Sequence, residues 1–302
     1  MKIGYIGLGN MGSALARRLV KAQPLKVFDL SAEARARLVE AGATEAASAS
    51  ELARDCDIVF LCLPTPKLVE DLLFGADGIA AKLHPGAIVI DQTSGEPETT
   101  RRFGAKLAEG GVALVDAPVS GGPQGADAGT IAIMVGANPE AYAMVEPVLK
   151  SISPNVFHTG DLGNGHVSKL CNNLLSSSIR LASMEAIALA QKNGVAPEVI
   201  VKILNAGGGG SYWLGKYGEQ LFVRGEIART FTLGLINKDV SLACQMGANA
   251  GMPMFVGNLI RNYYQMAVNE FSPDMPVNNL AYIVERMTNS SIVPKKAAEA
   301  AE

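Results

Sequence analysis

The chain has little of what metal and disulfide chemistry needs. Its 302 residues include only three histidines and four cysteines. The histidines stand apart at positions 84, 158 and 166, which argues against a histidine-based metal site, and no metal is expected. Cys56, Cys62, Cys171 and Cys244 form no C-x-x-C pair and are too few to staple a chain of this length, so reduced packing cysteines are expected. An excess of one charge is also missing. The 26 basic and 29 acidic residues leave a net charge of −3, which gives no field to gather nucleic acid or an anionic membrane. No uninterrupted apolar run approaches the roughly 18 residues of a membrane helix. Glycines break the N-terminal apolar stretch before it reaches signal-peptide length. A cytoplasmic protein is the expectation.

What is present is apolar material and glycine. Hydrophobic residues make up 48% of the chain and charged residues 18%, enough for a sizeable core and too apolar for disorder. The length predicts two domains. The 32 glycines, without low complexity, predict many tight turns.

The first half alternates short apolar runs with helical spacing. Strands are predicted at Lys2–Ile6, Leu25–Asp29, Ile58–Leu63, Ala87–Asp91 and Val112–Ala117, with further strands at Ile131–Gly136 and Val156–Thr159. Helices are predicted at Met11–Ala22, Ala32–Ala41, a short stretch to Arg54 capped by Ser48 or Ser50, Glu98–Glu109 and Pro139–Leu149. This alternation means a mostly parallel, doubly wound sheet. The second half predicts only helices, at His166–Asn193, Pro197–Leu204, Lys238–Asn249 and Phe255–Asn269, with a glycine loop at Asn205–Gly210. The expected division is residues 1–162, an α/β domain of Rossmann type, and 163–302, an all-α domain opened by a long helix. The alanine- and charge-rich tail Lys295–Glu302 is expected to fray.

Gly7-Leu8-Gly9-Asn10-Met11-Gly12 is a G-x-G-x-x-G between a predicted strand and a predicted helix. The first glycine permits the tight turn, the second lets backbone approach a pyrophosphate, and the third lets the helix pack on the strand. Amide N–H groups at the helix start then bind the diphosphate. Asp29 ends the second strand, where a carboxylate accepts hydrogen bonds from the ribose hydroxyls and repels a 2′-phosphate. Leu30 and Ser31 follow, so no arginine stands beside it, and NAD is expected over NADP. The plain alternative is that Asp29 caps the next helix.

Four segments together resemble the β-hydroxyacid dehydrogenase family, whose members include 3-hydroxyisobutyrate dehydrogenase and tartronate semialdehyde reductase. They are the glycine fingerprint, Asp116-Ala117-Pro118-Val119-Ser120-Gly121-Gly122, Gly163-Asn164-Gly165-His166-Val167-Ser168-Lys169-Leu170-Cys171-Asn172-Asn173, and Lys238-Asp239-Val240. The resemblance runs in order over nearly the whole chain. It implies an oxidoreductase that moves a hydride between NAD and a small 3-hydroxy acid or its semialdehyde. It implies that Lys169 is the acid–base, that Ser120, Gly121 and Gly122 bind the substrate carboxylate, and that Asn173 holds the substrate. It implies cofactor contacts from Leu63-Pro64, from Thr93 and from Lys238, and a homodimer or homotetramer.

The residues themselves support part of this. Lys169 and Asn173 are four apart, hence on one helix face. A hydroxyl followed by two glycines makes a small anion nest, although Pro123 departs from the family pattern. Trp213 follows the glycine loop and is either a pocket wall for the substrate or simply core. Two other readings remain at this stage, an imine reductase of the same architecture, which typically lacks the lysine, and a non-catalytic nucleotide-binding scaffold.

Overall fold

In the computed structural model residues 1–228 and 231–294 are described. The tail Lys295–Glu302 lies outside them. The chain divides into two compact units, Met1–Lys169 and Leu170–Glu302.

The first unit is built on a six-stranded sheet. Its strands are β1 (Ile3–Ile6), β2 (Leu25–Phe28), β3 (Thr44–Glu45), β4 (Ile58–Leu61), β5 (Ile88–Asp91) and β6 (Ala113–Asp116), in the order β3-β2-β1-β4-β5-β6. All five pairings are parallel. Every residue of β1, β4 and β5 is buried, as expected for continuous apolar strands covered on both faces. The covering helices are α1 (Asn10–Ala22), α2 (Ala32–Glu40), α3 (Ala49–Asp55), α4 (Pro66–Phe74) and α5 (Pro97–Ala108). Ser31 caps α2 and Ser48 caps α3, each accepting a backbone N–H three residues on. The short edge strand β3 and helix α4 are additions to the predicted set.

The later strands do not extend this sheet. β7 (Val119–Ser120), β8 (Ala132–Val135) and β9 (Val156–His158) form a separate three-stranded sheet, with α6 (Gly122–Asp127) and α7 (Pro139–Ile152) between them. Pro118 explains the break. It has no N–H to continue the ladder beyond β6, and its carbonyl instead accepts Met134 N at 3.0 Å.

The second unit is helical, and among the described residues no strand follows His158. The long α8 (Asn164–Lys192) contains the unit boundary. It ends in a Schellman pattern, with Val195 N bonded to Ala190 O, Gly194 N to Gln191 O, and Gly194 at φ +85°. Then come α9 (Pro197–Ala206), α10 (Tyr212–Phe222), α11 (Leu233–Asn249), α12 (Phe255–Phe271) and α13 (Leu280–Thr288). Helices α10 and α13 were not predicted. Both bring apolar residues to one core, where Trp213, Leu221, Phe222, Tyr264, Leu280 and Val284 meet. No helix among the described residues is long and apolar enough to cross a membrane.

Candidate functional site

The parallel sheet carries most of the predicted residues to one end, beyond the carboxyl termini of its strands. Gly7 follows β1, Asp29 follows β2, Leu63 and Pro64 follow β4, and Thr93 follows β5. These are carboxyl ends of strands on either side of β1 and β4, where the strand order reverses, which is where open α/β sheets bind ligands.

The glycine loop has the shape the fingerprint requires. Gly7 has φ +97°, and a Cβ there would lie 2.3 Å from the Cys62 carbonyl oxygen. A Cβ on Gly12 would lie 1.9 Å from the Gly7 carbonyl oxygen, so α1 cannot approach β1 with any side chain at that position. A Cβ on Gly9 would meet nothing within 4 Å. Gly9 is also the N-cap of α1 and offers no side chain to the first amides of the helix. The loop therefore presents uncapped N–H groups to open space, a fit for a pyrophosphate. Leu8, Asn10 and Met11 complete that turn.

Asp29 is fixed from two sides. One carboxylate oxygen accepts Leu8 N at 2.6 Å and the other accepts Ser31 N at 2.8 Å. It does not cap α2, since Ser31 does. Thr93 joins the neighbouring loops. Its hydroxyl accepts Leu63 N at 3.0 Å, and its own N–H donates to Asp91 Oδ1 at 2.9 Å.

One acid and one histidine, Asp116 and His166, hold the start of α8, and the sequence alone gives neither of them that role. Asp116 is fully buried and accepts Gly163 N and His166 N, both at 2.7 Å, so it caps α8 from a distant strand. Burial pushes its carboxyl above the usual range, opposed by His166 and these N–H donors. The His166 ring is also fully buried, with Nε2 2.7 Å from the Thr93 carbonyl and Nδ1 2.8 Å from the Thr100 hydroxyl. With both nitrogens engaged, His166 is a strut between α5, the Thr93 loop and α8. The signal that pointed to Asp116 was its place in the Asp-Ala-Pro motif. Nothing local in the sequence connects it to residues some fifty positions on.

Ser120 ends β7, and Gly121 and Gly122 follow with φ +139° and +73°. Pro123 occupies the first turn of α6 and removes one potential donor from this nest. Lys169 lies in the second turn of α8 and is 8% exposed.

In the helical unit, Asn173 is 7% exposed and donates from Nδ2 to Asp239 Oδ2 at 2.6 Å. Its Oδ1 accepts from Asn172 at 3.1 Å. The second Nδ2 hydrogen remains for a ligand. Asp239 is 1% exposed and also lies 3.3 Å from Lys238 Nζ, so it aligns both predicted residues. Lys238 is inside α11 rather than at a helix start. Trp213 is packed in the core edge-to-face with Phe222, under the buried Arg180, whose Nη1 donates to the Tyr264 hydroxyl at 2.7 Å. No group of three or more potential metal ligands occurs among the described residues.

Residues 2–160 match the NAD-binding domain of 6-phosphogluconate dehydrogenase, and residues 163–281 match the NAD-binding domain of NADP-dependent 3-hydroxyisobutyrate dehydrogenase. The chain belongs to the β-hydroxyacid dehydrogenase family. It is 37% identical over 271 residues to a 3-hydroxyisobutyrate dehydrogenase of Pseudomonas aeruginosa, covering 87% of this chain and 91% of the relative. It is 36% identical over 255 residues to a 2-(hydroxymethyl)glutarate dehydrogenase of Eubacterium barkeri, covering 84% and 85%. The solved 3-hydroxyisobutyrate dehydrogenase of Mycobacterium tuberculosis, with L-serine, superposes at a TM-score of 0.83 with 27% identity over 94% of this chain and 98% of that one. The protein is accordingly a nicotinamide-dependent hydroxyacid dehydrogenase, and the imine-reductase and scaffold alternatives are not favoured.

Proposed function

We propose that this dehydrogenase interconverts a small 3-hydroxy acid and its semialdehyde with NAD preferred to NADP, and that Lys169 is its acid–base. The observation that carries the reading is the pair Lys169 and Asn173, one turn apart on α8 and each more than nine-tenths buried. An amine and an amide on one helix face can address the same substrate oxygen.

When bound, the nicotinamide supplies or accepts the hydride. Residues 1–162 hold this cofactor, with the Gly7–Gly12 loop at the pyrophosphate through its uncapped amides at the start of α1, Asp29 at the adenosine ribose, and Leu63, Pro64 and Thr93 lining its path. Lys238 adds a cofactor contact from 163–302. The Ser120 hydroxyl and the Gly121 and Gly122 amides receive the carboxylate. In reduction Lys169 Nζ donates a proton to the carbonyl oxygen. In oxidation it takes the proton from the hydroxyl. Asn173, aligned by Asp239, donates a hydrogen bond to the substrate and fixes its orientation. The relatives' named substrates, 3-hydroxyisobutyrate and 2-(hydroxymethyl)glutarate, give the size range. We place the enzyme in the cytoplasm as a homodimer or homotetramer.

The test is a panel of 3-hydroxy acids with NAD and with NADP, followed at the nicotinamide absorbance. Turnover of a 3-hydroxy acid with higher kcat/KM for NAD is expected. Turnover of 2-hydroxy acids alone, or a tenfold preference for NADP, would overturn the reading.

A further inference from the structure

The sequence places no arginine directly after Asp29, yet the fold brings one to that loop. Arg35 stands in the first half of α2, and helix side chains tilt toward their own N-terminus. Its Nη1 donates to the Asp29 carbonyl at 2.6 Å and contacts the Leu30 carbonyl at 3.3 Å. Its Nε donates to Glu45 Oε1 at 2.7 Å. The guanidinium also lies over the Phe28 ring, 5.9 Å from its centroid. Glu45 belongs to the edge strand β3, opposite Val27 of β2.

We propose that the Arg35–Glu45 pair sets the cofactor preference. Arg35 is the group that can receive a ribose 2′-phosphate, and Glu45 keeps it occupied so that Asp29 selects the unphosphorylated ribose. The inference rests on the reading of the Asp29 loop as the ribose site. Its logic is charge and geometry. Asp29, Glu45 and Arg35 sum to one negative charge at this loop, which repels a phosphate and is indifferent to a neutral diol. Asp29 cannot swing aside, because Leu8 N and Ser31 N hold both its oxygens. Guanidinium binds phosphate through paired N–H groups, and here Glu45 occupies part of that fork. The Arg35 side chain is 20% exposed and that of Glu45 46%, so the pair sits at the surface, within reach of a ligand.

The test is calorimetric titration with 2′,5′-ADP and 5′-AMP, two probes that differ only in the 2′-phosphate. Glu45→Gln is expected to tighten 2′,5′-ADP about two- to fivefold, the range of one exposed ion pair, and to leave 5′-AMP unchanged. Adding Arg35→Ala to Glu45→Gln should remove that gain. Glu45→Asp, which keeps the charge, should behave as wild type and controls for folding. A gain shared by both probes, no gain at all, or a gain that survives loss of Arg35 would overturn the proposal. Asp29→Ser separates the two levels. If it shifts the ratio of the two affinities while Glu45→Gln does not, only the role of the pair falls. If neither variant shifts it, this loop is not the ribose site.

Discussion

Lys169→Met removes the proposed acid–base with the least other change. The lysine is 8% exposed, so its stem is packed, and an alanine would lose both the amine and the packing of that stem. Methionine keeps a flexible apolar chain of similar length and has a high helix propensity, so α8 should persist. A near-isosteric swap of this kind costs less than about 1.5 kcal/mol of stability. The catalytic cost is expected to be much larger. A positioned proton donor contributes ~10²–10⁴-fold, or about 2.7–5.4 kcal/mol of barrier. Steady-state kcat should therefore fall by about that factor while the dissociation constant for NADH stays within about twofold, an unchanged binding energy on the tenfold-per-1.4-kcal/mol scale. In the oxidation direction the acceptor must be deprotonated, so wild-type kcat should climb along a limb with pH, and that limb should be absent in Lys169→Met. Lys169→Arg should not restore it, because guanidinium stays protonated. A deuterated hydride donor shows whether chemistry limits kcat. If hydride transfer is rate-limiting and Lys169→Met keeps more than half of wild-type kcat, the acid–base assignment is refuted. His166 would not inherit the role, since Thr93 and Thr100 hold both its ring nitrogens.

Gly12→Ala should abolish measurable NADH binding in a fluorescence titration, because the new Cβ would lie 1.9 Å from the Gly7 carbonyl oxygen, and binding within tenfold of wild type would show that the loop can yield. Asp239→Ala removes the 2.6 Å acceptor of Asn173 and should raise KM for the hydroxy acid by tenfold or more, the loss of a charge-assisted bond of ~1.5–3 kcal/mol, whereas an unchanged KM would mean that Asn173 is held by other groups. Burial raises the Asp91 carboxyl above its ordinary value, so the folded state binds that proton more tightly than the unfolded chain. Its stabilising contribution is complete below the unfolded value of about 3.9 and is lost as pH rises through the raised folded value. Urea unfolding from pH 4 upward should accordingly show a less negative slope of stability against pH in Asp91→Asn, and an identical slope would contradict the raised value.

The class of fold, the cofactor loop and the family are legible in the residues alone, because each rests on short-range pattern. Continuous apolar runs of four to six residues specify buried parallel strands, and Gly12 is dictated by a contact within one strand–turn–helix unit, the Gly7 carbonyl. The Lys169–Asn173 spacing is equally local, since helix geometry alone sets their common face. Relations between distant segments come only with folding. Asp116 caps α8 from nearly fifty residues away, His166 braces a loop 73 residues earlier, and Asp239 aligns Asn173 across 66 positions. Arg35 reaches the Asp29 loop only because α2 folds back over the end of β2. Trp213, which follows a glycine loop in the sequence, is placed in the core because α10 lays its apolar face against the other helices. Periodicity records which side of an element is buried but not which element covers it, and the hydrogen bonds that orient these side chains form only once that choice has been made.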